Sequence, residues 1–145
     1  MFLPQNTRQV PASGPPDAKI AVIGEAPSDE EIRRNAPFVG PAGRVLDNCL
    51  EFAQLIRSEI YITNLFKFKI TKSGEKIIGP NKTVLHSSRK GFTEEGEECV
   101  RQLAEELNQH PANVLVPLGN PALNALTGKN GIHKWRGSIL ESTSY

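Results

Sequence analysis

At 145 residues the chain is sized for one domain with a substantial core, and its formal net charge of +1 excludes attachment to nucleic acid by global charge alone. Its two cysteines, Cys49 and Cys99, form no CxxC pair, and no apolar run reaches membrane-spanning length, which excludes a disulfide scaffold and a transmembrane helix. Met1–Asn6 lacks the charged and apolar regions of a signal peptide, so a cytoplasmic protein with buried free thiols is expected.

Residues 1–17, rich in Pro, Gly and Ser, read as an extended lead-in that wraps the domain or stays mobile, ahead of a domain over 18–145. Lys19–Gly24 is a compact β-branched run bounded by turn residues and is the predicted first strand. Asp29–Arg34 is polar and long enough for one helical turn. A helix is predicted over Gly43–Ile56, because Val45, Leu46, Cys49, Leu50, Ala53 and Ile56 share one face. Glu59–Asn64 is the second strand. From Phe66 to Phe92 periodicity fades and turn signals accumulate; Lys69–Ile70 and Lys76–Ile78 are placed to pair as a small hairpin. A loop of that length carries function or is disordered. Thr93 caps a helix through Asn108, with Cys99, Val100, Leu103, Ala104 and Leu107 inward. Asn113–Leu118 is the third strand, Asn120-Pro121 opens a short helix that Gly128 ends, and Ser138–Leu140 is a last extended run. This alternation implies an α/β fold, a three-layer α/β/α sandwich around a central, mainly parallel sheet of four strands.

Chemistry concentrates where strand ends are expected, and ligands of parallel α/β sheets bind at the carboxyl ends of the strands. Glu25 follows the first strand, Phe38 sits in the rigid loop Pro37–Gly43, and Asn64 ends the second strand. Glu25 either caps a turn or orients a water and stabilises a developing cation. Phe38 either fills core or stacks on a flat ring. Asn64 either caps the strand end or offers a donor and an acceptor to a hydrogen-bonding edge. Together they suit a nucleobase. Pro27 and Pro41 stiffen the flanking turns, while Gly24, Gly40 and Gly43 permit close backbone approach, and the helix start at Gly43 offers free N–H groups to a phosphate.

The run Lys67, Lys69, Lys72, Lys76, Lys82, Arg89 and Lys90 faces the single acid Glu75, and reads as a solvated loop or a phosphate-contacting arm. Lys134 and Arg136 flank Trp135 and suit a nucleic-acid backbone in the same way. No segment carries Lys-Ser/Thr at phosphate-loop spacing, which excludes triphosphate hydrolysis of that type. His86, His110 and His133 lack metal-ligand spacing, so no metal site is expected.

Taken in order and spacing, Ile23–Pro27, Pro37–Gly43 with Leu46-Asp47, Tyr61–Lys67, Cys99 with Leu103, Val116–Gly119 with Ala122, Leu126–Gly128, and Ile132 with Arg136-Gly137 resemble the uracil-DNA glycosylase superfamily. The family 4 type, itself similar to a segment of a phage DNA polymerase, is the nearest in pattern over about residues 18–140. The resemblance implies hydrolysis of the N-glycosidic bond of uracil in DNA. In that reading Phe38 stacks on the extruded base, Asn64 reads its edge, and Glu25 serves the water and the cationic sugar. Pro27, Gly40, Pro41, Gly43, Lys67, Lys134 and Arg136 then lie along the DNA.

Three departures accompany it. Family 4 members hold an iron–sulfur cluster on four cysteines; here only Cys99 matches, Phe68 stands at a second position, and no cofactor is expected. Ser28 replaces a common Gly, and Phe66–Phe92 is longer than the usual connection. The family's His-Pro motif, whose His stabilises the departing uracil anion, does not occur before Tyr145. That implies either a chain truncated at its C-terminus, a fragment of a longer protein, or impaired excision, and an exposed sheet surface open to self-association or to segments of a parent polymerase. The alternative function is a non-catalytic DNA-binding module such as the N-terminal part of a phage polymerase. A small-molecule nucleobase sensor would leave the basic segment without a purpose.

Overall fold

The structure, a computed structural model, describes residues 2–143. β1 (Ile20–Gly24) runs between β2 (Tyr61–Asn64) and β7 (Val114–Pro117) in a three-stranded parallel sheet. Side chains alternate across it. Ala21 and Ile23 face one layer, where they meet α3 (Glu94–Asn108) through Cys99, Leu103 and Leu107, and α4 (Asn120–Thr127) through Ala122, Ala125 and Leu126. Val22 and Ile62 face the other, against Leu46 and Leu50 of α2 (Pro41–Phe52). The α/β/α layering follows from this period-two alternation, which gives each face its own apolar cluster.

Local signals place the helix ends. In α1 (Asp29–Arg34), Ser28 and Glu31 form a capping box: the Ser28 Oγ accepts from the Glu31 N–H at 3.4 Å, and Glu31 Oε2 accepts from the Ser28 N–H at 2.7 Å. The Ser found where the family commonly has Gly is therefore a cap. α2 begins two residues before the predicted Gly43, since Pro41 has the preset φ of a first helical position. It ends at Phe52 rather than Ile56, and its buried stripe is Gly43, Leu46 and Leu50. Val45, Ile56 and Cys49 fall off that stripe and are exposed, so of the two thiols expected to be buried only Cys99 is.

The largest correction concerns Phe66–Phe92. It is neither loop nor single hairpin but an antiparallel sheet of β3 (Thr71–Ser73), β4 (Lys76–Ile78), β5 (Val84–Ser87) and β6 (Gly91–Phe92). The first hairpin pairs Thr71 with Ile78, displaced from the predicted Lys69–Ile70 arm. Ile77 and Leu85 are buried in the cluster that holds Phe66 and Phe68, which anchors this sheet to the domain. Thr93 caps α3 as predicted, accepting from the Gly96 N–H at 3.3 Å and donating to Leu85 O at 3.4 Å.

The lead-in crosses the outer edge of β2. Ser13 and Ile62 exchange hydrogen bonds of 2.9 and 2.8 Å, and the Val10 N–H donates to Lys67 O at 2.7 Å. After α4, the short α5 (Ile132–Trp135) leads into Ser138–Leu140, which pairs with no strand, so the described central sheet has three strands rather than four. No helix among the described residues is long and apolar enough to cross a membrane.

Candidate active site

The parallel register sets Gly24 opposite Asn64 at the carboxyl ends of β1 and β2. A Cβ on Gly24 would stand 2.3 Å from Asn64 Oδ1 and 2.6 Å from Phe38 Cζ, so the missing side chain is what lets ring and carboxamide meet there. Asn64 is buried, and Phe38 is half-buried at the edge of the Val22–Leu46 cluster.

Phe38 adopts φ +54°, the left-handed region that non-glycine residues rarely occupy. Two charged side chains hold it there. Its N–H donates to Glu31 Oε1, and Arg57 Nη2 donates to the carbonyls of Phe38 at 3.0 Å and Pro37 at 3.2 Å. Arg57 Nη1 pairs with Asp47 at 2.5 Å, which fixes the guanidinium from α2. Gly43 completes the brace, because a Cβ there would fall 1.8 Å from Phe38 O. Strain held by surrounding hydrogen bonds is a common mark of a ligand-facing residue. Glu31 and Arg57 were not legible as site residues, since their partners lie on another element.

Glu25, one residue beyond Gly24, turns its carboxylate into a cavity of about 490 Å³ lined also by Lys72, His86, Gly119 and Asn120. Lys72 Nζ lies 3.4 Å from Glu25 Oε1. The structure thus brings Phe38 and Asn64 together at Gly24 and sets Glu25 on the adjoining wall, facing the second sheet.

The residues expected along DNA divide. Lys67 turns inward instead: its ammonium pairs with Glu106, and donates to Thr63 Oγ1 and to Asn64 O at 2.7 Å. Burial pulls its pKa below the usual lysine value against the opposing pull of Glu106. Pro27, Gly40 and Gly43 are buried, so they shape the turns rather than present surface, while Pro41 is exposed at the start of α2. Lys134 and Arg136 are exposed. Asn120 Oδ1 accepts from the Gly131 N–H at 2.9 Å, which ties the start of α5 to the Glu25 cavity rim. Lys129 and Lys134 lie 4.6 and 4.9 Å from the Trp135 ring centroid, a cation–π arrangement that orders this basic corner. Within the basic segment, Lys69 pairs with Asp29 at 2.6 Å and Arg89 with Glu75 at 3.0 Å.

The four-thiolate cluster implied by the resemblance does not fit this chain. Two cysteines cannot supply four ligands, and Cys49 lies exposed on α2. Burial, with the nearby Glu98 charge, pushes the Cys99 thiol up to about 12, which keeps it protonated among Phe66, Phe68 and Leu103. Phe68 also meets Phe2 edge-on, ring centroids 6.1 Å apart, so apolar packing occupies this corner of the fold. Among the described residues no group of three or more His, Cys, Asp or Glu is arranged to hold a metal.

A ring and an amide thus meet at the carboxyl ends of a parallel sheet, which places the domain in the α/β class whose ligands bind at that edge. Sequence comparison gives that class its family: the chain belongs to the uracil DNA glycosylase superfamily, whose profile matches residues 11–144. It is 35% identical over 113 residues to the type-4 uracil-DNA glycosylase of Archaeoglobus fulgidus, covering 78% of this chain and 49% of that protein. It is 30% identical over 137 residues to the type-4 uracil-DNA glycosylase of Thermotoga maritima, covering 93% of this chain and 64% of that one. A DNA polymerase of Bacillus phage SP01 is 24% identical over 137 residues, 94% of this chain and 13% of the polymerase. The chain thus spans about half the length of the Archaeoglobus relative.

Proposed function

We propose that this chain hydrolyses the N-glycosidic bond of uracil in DNA, in a reducing, cytoplasmic setting that suits its free thiols. The observation that carries the reading is the meeting of Phe38 and Asn64 at Gly24, one residue from Glu25. An everted uracil would stack on the Phe38 ring, and the Asn64 carboxamide would donate to and accept from its imide edge. The C1′–N1 bond then breaks, its electron pair leaving with the base; water adds at C1′ and gives up a proton, and the uracil anion takes up one proton to leave as neutral uracil. Glu25 supplies the negative charge that favours the cationic sugar and orients the water. Exposed Pro41, Lys134 and Arg136 would contact the DNA backbone, contributing affinity without reading sequence.

The second reading, a DNA-binding module without excision, draws on the polymerase similarity, which spans nearly the whole chain. A labelled single-stranded oligonucleotide with one uracil separates the two. Excision leaves an abasic site that alkali cleaves. Retardation of the oligonucleotide without cleavage favours the binding module, and neither result sinks both readings.

A further inference from the structure

His86 is a buried titratable group that the reading above leaves without a role. The residue is 3% exposed, and its Nε2 is shut from solvent with no hydrogen-bond partner among the described residues. Its ring packs on Phe92 with centroids 4.7 Å apart, a contact that phenylalanine would make equally well. An unpaired buried nitrogen weakens a fold, so packing alone does not account for histidine here.

Its location does. His86 stands opposite Ile77 in the β4–β5 pairing and forms part of the wall of the Glu25 cavity. The charged groups lining that cavity are Glu25 from the turn after β1, Lys72 from β3, Glu75 from the β3–β4 turn and Lys76 from β4. The Asn124 side chain of α4 is a hydrogen-bond partner of the imidazole, although Nε2 itself stays unpaired, and the β6 neighbour Phe92 is uncharged.

We propose that His86 is a positioning residue for Glu25: while the ring is neutral the carboxylate meets only the exposed Lys72 ammonium, which a cationic sugar can displace, and a protonated ring on the same cavity wall adds a fixed positive charge that holds it back. The proposal rests on Glu25 serving excision. Burial holds the imidazole below the usual histidine range, against the opposing pull of the Glu25 charge, so the ring is neutral at neutral pH. Acidification charges the ring, and an imidazolium beside Glu25 cancels the negative potential that the cationic sugar needs. No bond to the substrate is involved.

Two measurements on the full chain test it. The first is single-turnover excision followed from acid to neutral pH in wild type, His86→Gln and His86→Phe, the last keeping the contact with Phe92. The acid limb should move to lower pH by about one unit in both variants; an unmoved limb overturns the proposal. The second is an NMR titration of the His86 ring in wild type and Glu25→Gln. Its midpoint should fall when the carboxylate is neutralised, and an unchanged midpoint overturns the proposal even in a chain that excises nothing. A wild type without excision would instead defeat the functional reading, leaving the titration to decide whether the two groups are coupled.

Discussion

The ammonium of Lys67 donates to the backbone carbonyl of Asn64 at 2.7 Å, fixing the strand end that carries the carboxamide. The same ammonium pairs with Glu106 of α3, whose Oε1 accepts from the Tyr61 hydroxyl at 2.9 Å. Removing one partner strands the other in the interior. Lys67→Met or Glu106→Gln should therefore cost about 2 kcal/mol in denaturant unfolding, less than for a fully buried pair because both side chains keep some exposure. Exchanging both partners for apolar residues should recover most of the loss. Equal stability of the single variants and wild type would place the pair in solvent.

Gly24 gives a sharper test of the site. Gly24→Ala places a methyl where the Asn64 amide and the Phe38 ring now meet, so excision should fall by about two orders of magnitude or more. Asn64→Ala and Phe38→Ala should lose excision more than they lose DNA affinity, and Arg57→Ala should lose part of it by releasing the Phe38 loop. Normal turnover in all four would mean the base is held elsewhere.

Salt dependence sorts the cations. Lys134→Ala and Arg136→Ala should each lower the slope of log affinity against log salt by about 1, as expected for one phosphate contact apiece. Lys67→Ala should leave the slope alone, because that charge is already spent on Glu106. A reduced slope in the Lys67 variant would return it to the surface.

Alkaline stability should report Cys99. Below about pH 9, the thiol's ordinary value, it is protonated in both folded and unfolded chains and adds no pH dependence. Above that, the unfolded chain releases the proton while the folded chain keeps it until about 12. Stability should then fall by up to about 1.4 kcal/mol per pH unit across this window. Cys99→Ala should remove that contribution, at the cost of a small cavity. Aromatic-disulfide titration of the native protein should modify exposed Cys49 quickly and Cys99 only on unfolding.

What could be read from sequence was what local physics decides. The Thr93 cap, the inward Cys99–Leu103–Leu107 stripe of α3 and the Gly128 stop of α4 each depend on neighbours within a few residues, and each is where it was expected. Gly24 and Asn64 were legible as neighbours because strand-end positions in a parallel sheet converge whatever lies between them, and the rigid loop Pro37–Gly43 then brings Phe38 to the same point. The second sheet was not, since its strands are two to four residues long and Ile77, Leu85 and His86 are the buried side chains that anchor it. Lys67 depends on Glu106, 39 residues away, and the Arg57 arm of the brace on Phe38 and Pro37, 19 and 20 residues away, pairings that charge pattern alone does not specify.

The bridge between Ser13 and Ile62 makes the central sheet lopsided. β2 already has its outer hydrogen-bonding groups engaged by the lead-in, and β1 is flanked on both sides. Of the three described strands of the central sheet, β7 is the one that keeps an unpaired flank, with Val114 open to solvent. Strand addition is thereby directional. A further ribbon, from the same polypeptide or another, can extend the sheet past β7 but cannot enter at β2 without first prising the lead-in away.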